Sequence, residues 1–223
     1  MHALTASQRR ATCFHEAGHA VVFALGGVSV HGAAVAPEGA ESWRVASSNG
    51  RICSDLWGLC RKAELVLPRQ LLRWLMSEGG LHPDGPGHEA VLASPHGQLL
   101  RDSLSAQQQR EIRAQIAGLL AGPIAEQIFN GAAPHLGDRR EHADVDRAAA
   151  LAALLPGGPS LEPATRLVAE VLCQPAVWAQ VTALAEELER SGELERGITA
   201  FLPATVARWP PDWTREGHDL PAV

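Results

Sequence analysis

His15, Glu16 and His19 stand in the run His-Glu-Ala-Gly-His. On a helix, residues i and i+4 lie one turn apart on the same face. Two imidazoles at that spacing can converge on one Zn²⁺, and a glutamate beside the first reaches a water next to the metal. Zinc polarises a carbonyl and acidifies water. Glu16 could then act as the base that takes the water's proton and passes it to a leaving amine. The chemistry implied is metal-assisted peptide hydrolysis.

Two histidines do not complete a site, because catalytic zinc is held by three protein ligands with one position open. Glu126, Asp138, His142, Asp144 and Asp146 all have suitable donor chemistry. Asp144 also reads as an acid placed to complement a helix N-terminus. His82, His88 and His96 share no metal-ligand spacing and are expected to be loop residues. Cys13 should point away from the metal face and serve packing.

The elements that must position these groups follow from the apolar pattern. A helix is expected over 7–25, capped by Ser7 and ended by Gly26-Gly27. Its Phe14, Gly18, Val21, Val22 and Leu25 recur with helical spacing. Alternation and β-branched residues predict a strand within 28–37, with 43–46 and 51–53 pairing to it. A helix over 68–76 and a long Gly/Pro/His loop over 77–97 come next. Ser105, with Gln108 three residues on, forms a capping box for another helix. Pro123 is expected to kink or break it. Further helices are expected over 141–155, 162–173 and 175–190, the last two as a helical hairpin, then a short helix over 193–201. The Pro/Trp-rich tail, 203–223, is expected to be frayed, with Trp209 and Trp213 free to meet a partner.

Composition narrows the class. Hydrophobic residues make up 46% of the 223 and aromatics only 4%, with no Tyr. The core must come from Leu, Val, Ile and Ala, which favours helix. The net charge of −6 and the lack of a basic run speak against nucleic-acid binding. The four cysteines form no C-x-x-C pair and are expected to be reduced, as in a cytoplasmic protein. No run approaches the roughly 18 apolar residues of a membrane span, and the N-terminus lacks a signal-peptide pattern.

Three segments carry a family resemblance. Residues 15–22, HEAGHAVV, are similar to the signature of the FtsH-type zinc peptidases, the protease domains of membrane-anchored AAA+ proteases. Residues 121–131, AGPIAEQIFNG, resemble a second segment of that family, and 143–148, ADVDRA, a third. The segments come in the family's order, and 27–39 and the C-terminal helices are loosely similar. The resemblance implies a helical zincin-like peptidase domain over residues 1–202, mainly α with a small sheet beside the motif helix. It makes Asp144 the third zinc ligand. Glu126 becomes its rival, or a group that orients a ligand histidine. Where this chain departs from the family, no GxxxxGK[ST] loop occurs, Pro123 and Ala143 replace typical residues, and 61–104 reads as a long insertion, a candidate lid.

The reading is a zinc metalloendopeptidase acting on peptides or unfolded protein segments, independent of ATP within this chain. It binds one Zn²⁺ and needs no nucleic acid and no membrane span. A partner ATPase in trans or a homo-oligomer is compatible with it. The alternative is a catalytically inactive metal-binding or interaction protein on the same fold. A peptidase that cuts one regulatory protein is a third option.

Overall fold

A computed structural model of the chain describes residues 3–54, 56–66, 92–135, 143–207 and 209–213. It is mainly helical with a small antiparallel sheet. Helix α1 spans Ala6–Leu25. Its cap is Thr5, not Ser7: Thr5 and Gln8 form a reciprocal capping box, which satisfies two otherwise unpaired N–H groups. Gly26 ends the helix, and Gly27 takes a positive φ of 76°.

Strand β1 (Val30–Val35) does not pair with the two segments expected to join it. Those segments are β2 (Arg44–Ala46) and β3 (Ile52–Ser54), which pair with each other as a separate ribbon. The partners of β1 are β4 (Gly58–Lys62) and β5 (Glu193–Leu194), both antiparallel. Among the described residues, the order β4-β1-β5 leaves β4 at an edge. Short-range alternation proposes neighbours in sequence; here a strand more than 130 residues downstream supplies one of them. Arg61 links the pieces: its Nε donates to Ala46 O at 2.7 Å, and it pairs with Glu193 at 2.7 Å.

Helix α2 (Pro95–Asp102) begins inside the stretch expected to be a loop, with Ser94 as its cap. The expected helix over 68–76, most of that loop, His82 and His88 lie outside the described residues. His96 is exposed on α2.

Helix α3 (Ala106–Phe129) starts with the Ser105–Gln108 box as expected. It runs through Pro123 without a break. A mid-helix proline costs about 3 kcal/mol. Every residue from Ile112 to Ala125 is buried, so the packing of this central helix outweighs that cost. It crosses α1 at small residues. A Cβ on Gly18 would lie 2.5 Å from that of Ala125, and one on Gly26 would lie 2.8 Å from that of Ala114. The two backbones are close because nothing larger stands between them.

Helices α4 (Ala143–Ala152), α5 (Glu162–Leu172) and α6 (Pro175–Ser191) complete the layer. The axis turns by 82° between α5 and α6, so they form a corner rather than a hairpin. Helix α5 packs on α3, while α6 packs on α1. The expected helix over 193–201 is instead β5 and a single 3-10 turn, Ile198–Phe201. Extending a helix there would remove one of the two partners of β1.

The tail is not loose over its described part. Trp209 and Trp213 are 3% and 6% exposed, and Val206 N donates to Leu25 O. Arg113 pairs with Asp212 at 3.4 Å. In a chain so poor in aromatics, these indoles are a large share of the bulky apolar surface available. Among the described residues, no single helix is long and apolar enough to cross a membrane.

Candidate metal centre

The two motif histidines occupy successive turns of α1, and each is fixed by one ring nitrogen. His19 Nδ1 donates to the carbonyl of Gly118 at 2.7 Å. This sets its tautomer and turns Nε2 outward. His15 Nδ1 is 2.9 Å from Glu126 Oε2, which orients that ring in the same way. The rings meet edge to face, with centroids 4.7 Å apart.

The opposite nitrogens converge. His15 Nε2 and His19 Nε2 each lie 3.4 Å from Asp144 Oδ2. The three donor atoms all fall within 4.8 Å of one another. Tetrahedral zinc with bonds of about 2.0–2.1 Å holds its ligand atoms about 3.3–3.4 Å apart. The donor types and the two measured edges fit such an ion. The other Asp144 oxygen, Oδ1, is 3.5 Å from Arg147 NH1, one turn along α4.

Among the other candidates, Glu126 faces the far nitrogen of His15 and not the point of convergence. Asp146 is exposed. Asp138 and His142 lie outside the described residues. Cys13 is fully buried, and burial pushes its thiol up to about 11.

Glu16 is 5% exposed and faces the same cleft. Burial raises its carboxyl pKa; the charges of His15 and His19 and the Cys60 backbone hydrogen bond oppose this without cancelling it. Edge strand β4 lies directly across it. A Cβ on Gly58 would collide with the Glu16 carboxylate, so only glycine leaves room for that side chain.

Without a metal, the carboxylates dominate the electrostatics. Burial alone would lower the pKa of His15, but hydrogen bonds to Asp144 and Glu126 override it and push it up to about 10. Burial would raise Asp144; the two histidines hold it well below the usual carboxylate range.

The cleft has a volume of about 190 Å³. Phe23, Leu59 and Leu119 supply apolar wall, while Lys62 and Arg147 bring positive charge. The Lys62 ammonium donates to Gln115 Oε1 at 2.5 Å and sits 5.0 Å from the Phe23 ring centre. Burial lowers its pKa.

Several residues of this site have no signature in the motif. Gly118 and Gly122 form notches in α3 that receive Phe23 and His19; a Cβ at either would overlap the ring it faces. Their four-residue spacing matches that of His19 and Phe23, a signal present in the sequence. Gly58, Cys60 and Lys62 carry none, since their place depends on how β4 pairs. A scan against protein-family models finds no match for the chain, and a comparison with curated proteins finds none either.

Proposed function

We propose that this chain is a zinc-dependent endopeptidase of the kind its motif resembles. The observation that carries this reading is the convergence of His15 Nε2, His19 Nε2 and Asp144 Oδ2 beside the buried carboxylate of Glu16. Zinc held by these three residues would supply the Lewis acid that polarises the scissile carbonyl and acidifies the attacking water.

The chain's own residues do the rest. Glu16 takes a proton from the attacking water and delivers it to the leaving amine nitrogen. Glu126 and the Gly118 carbonyl hold the two imidazoles in register. Among the described residues β4 pairs only with β1, so an extended peptide can lie along its other side, next to Glu16, as a further strand. Lys62 and Arg147 favour a substrate with acidic side chains near the scissile bond. A peptide or an unfolded segment fits an edge strand in this way, while a folded substrate would first have to expose one.

The test is metal content and hydrolysis measured together. Wild type should bind about one zinc per chain and cleave an unfolded protein such as casein. Glu16→Gln should keep the zinc and lose cleavage. Asp144→Ala should lose both. Zinc retained by the wild type without cleavage of any peptide would leave the inactive metal-binding protein as the answer. Cleavage of one native protein but not casein would mark a narrow-specificity enzyme.

A further inference from the structure

The chain has one lysine, Lys62, and every other Lys/Arg position is arginine. That single ammonium belongs to β4 and stands in the wall of the metal cleft. A guanidinium is a broad planar fork, whereas an ammonium is a compact point charge, suited to a place made for one nitrogen. The surroundings of Lys62 make such a place. Its Nζ donates to Gln115 Oε1 at 2.5 Å and lies 5.0 Å from the centre of the Phe23 ring, whose face attracts a cation. Both partners are neutral. Among the described residues no carboxylate forms an ion pair with Lys62, so its charge is left uncompensated beside the metal ligands.

Gln115 is the member of this group that the rest of α3 does not explain. The helix is buried from Ile112 to Ala125, and Gln115 is the one uncharged polar side chain in that stretch. It is 4% exposed. A buried amide is costly unless both its donor and its acceptor find partners. Here Oε1 takes the Lys62 ammonium, and Nε2 donates at 3.1 Å to the carbonyl of Ala63, just past β4. Pinning the end of β4 to α3 needs only the Nε2 bond. The Oε1 bond acts on the ammonium. Phe23, the other group that holds Lys62, is seated in the notch at Gly118. Both are therefore fixed on packed helices.

We propose that Gln115 is a positioning residue for substrate recognition: it fixes the Lys62 ammonium at the Phe23 wall of the cleft, so that the site selects an acidic side chain beside the scissile bond. This rests on the peptidase reading above. Lys62 meets the substrate carboxylate, and Gln115 acts only through Lys62.

The experiment uses the zinc-loaded full-length chain and a peptide taken from a casein cleavage site, made with either Glu or Gln beside the scissile bond. Wild type should favour the Glu peptide about tenfold in kcat/KM. Gln115→Met keeps the length of the side chain and removes the acceptor; the ratio should fall to about one. Gln115→Glu should also bring it to about one, because the new carboxylate neutralises Lys62 while still holding it. A second measurement needs no turnover. Selective ¹³C labelling of lysine gives a single side-chain spin system, since the chain has one lysine. The Phe23 ring should shift the Lys62 Hε signals upfield in wild type and in Gln115→Glu, and the shift should collapse in Gln115→Met.

An equal loss on both peptides in Gln115→Met, with the ratio kept, would overturn the proposal and leave Gln115 as a tie between β4 and α3. A ratio kept in Gln115→Glu, or no ring shift in wild type, would overturn it as well. If the wild type cleaves both peptides equally, the preference itself is absent and the proposal falls while the peptidase reading stands. If the wild type cleaves no peptide at all, the peptidase reading falls and takes the substrate role of Gln115 with it.

Discussion

Gly122 lies against the imidazole of His19, and a side chain there would occupy the space of the ring. The position of the His19 ring thus depends on a residue more than 100 positions downstream that has no side chain. Gly122→Ala should favour an isolated helix by roughly 0.5–1 kcal/mol. In this protein it should instead displace His19 and lower zinc affinity at least about tenfold, since the ligand can no longer meet Asp144. Zinc competition with a chromophoric chelator, alongside circular dichroism to confirm folding, reads the effect. Unchanged affinity would mean that the ring has another place to sit.

Glu126 is expected to act through His15 and not as a ligand. Glu126→Ala should weaken zinc binding about 10–100-fold. Glu126→Gln should weaken it less, because its amide oxygen can still accept from Nδ1. Asp144→Ala should be worse than either. If Glu126→Ala and Asp144→Ala proved equal, the assignment of third ligand and supporting group would need to be redrawn.

The pH dependence has a definite sign. In the metal-free protein the pKa of His15 is raised from 6.5 to about 10. Its contribution to stability is therefore complete below pH 6.5 and is lost as pH rises toward 10. The metal-free melting temperature should fall over that window, and less so in Asp144→Asn. Zinc needs the neutral imidazole, so its binding at neutral pH should release a proton from His15 and strengthen as pH rises. Calorimetry in two buffers of different ionisation enthalpy measures that release. No proton release at pH 7 would contradict the charged His15.

Lys62 sets the expected preference for acidic substrates. Lys62→Met should reduce kcat/KM on a peptide with Glu beside the scissile bond about tenfold, with little change on its Gln counterpart. An equal loss on both peptides would instead assign Lys62 to the chemistry or to the packing against Phe23.

Trp209 anchors the tail to the helical core. Trp209→Ala should destabilise the protein by about 3–5 kcal/mol, the range for deleting a buried large aromatic side chain. Chemical denaturation checks this. A change below about 0.5 kcal/mol would show that the indole is not part of the core.

The sequence by itself determined the local features. The His-Glu-x-x-His spacing and a helix around it place two imidazoles one turn apart whatever the rest of the fold does. The Ser105–Gln108 box starts α3, and the apolar periodicity marks most of the helices, because both are set by residues three or four apart. The resemblance of 143–148 to a ligand-bearing segment singled out Asp144, which local chemistry could not separate from its neighbours.

The tertiary structure decided what depends on distant partners. Asp144 meets the two histidines because α4 packs on α3, which itself packs on α1. β1 takes its neighbours from β4 and β5, so Lys62 and Gly58 enter the cleft, and the nearer β2 and β3 do not. Pro123 stays helical because the whole middle of α3 is buried. The tail docks because its tryptophans find a core. Each of these outcomes rests on contacts between residues far apart in the chain. Propensity and spacing act over only a turn or two, so they carry no information about such contacts.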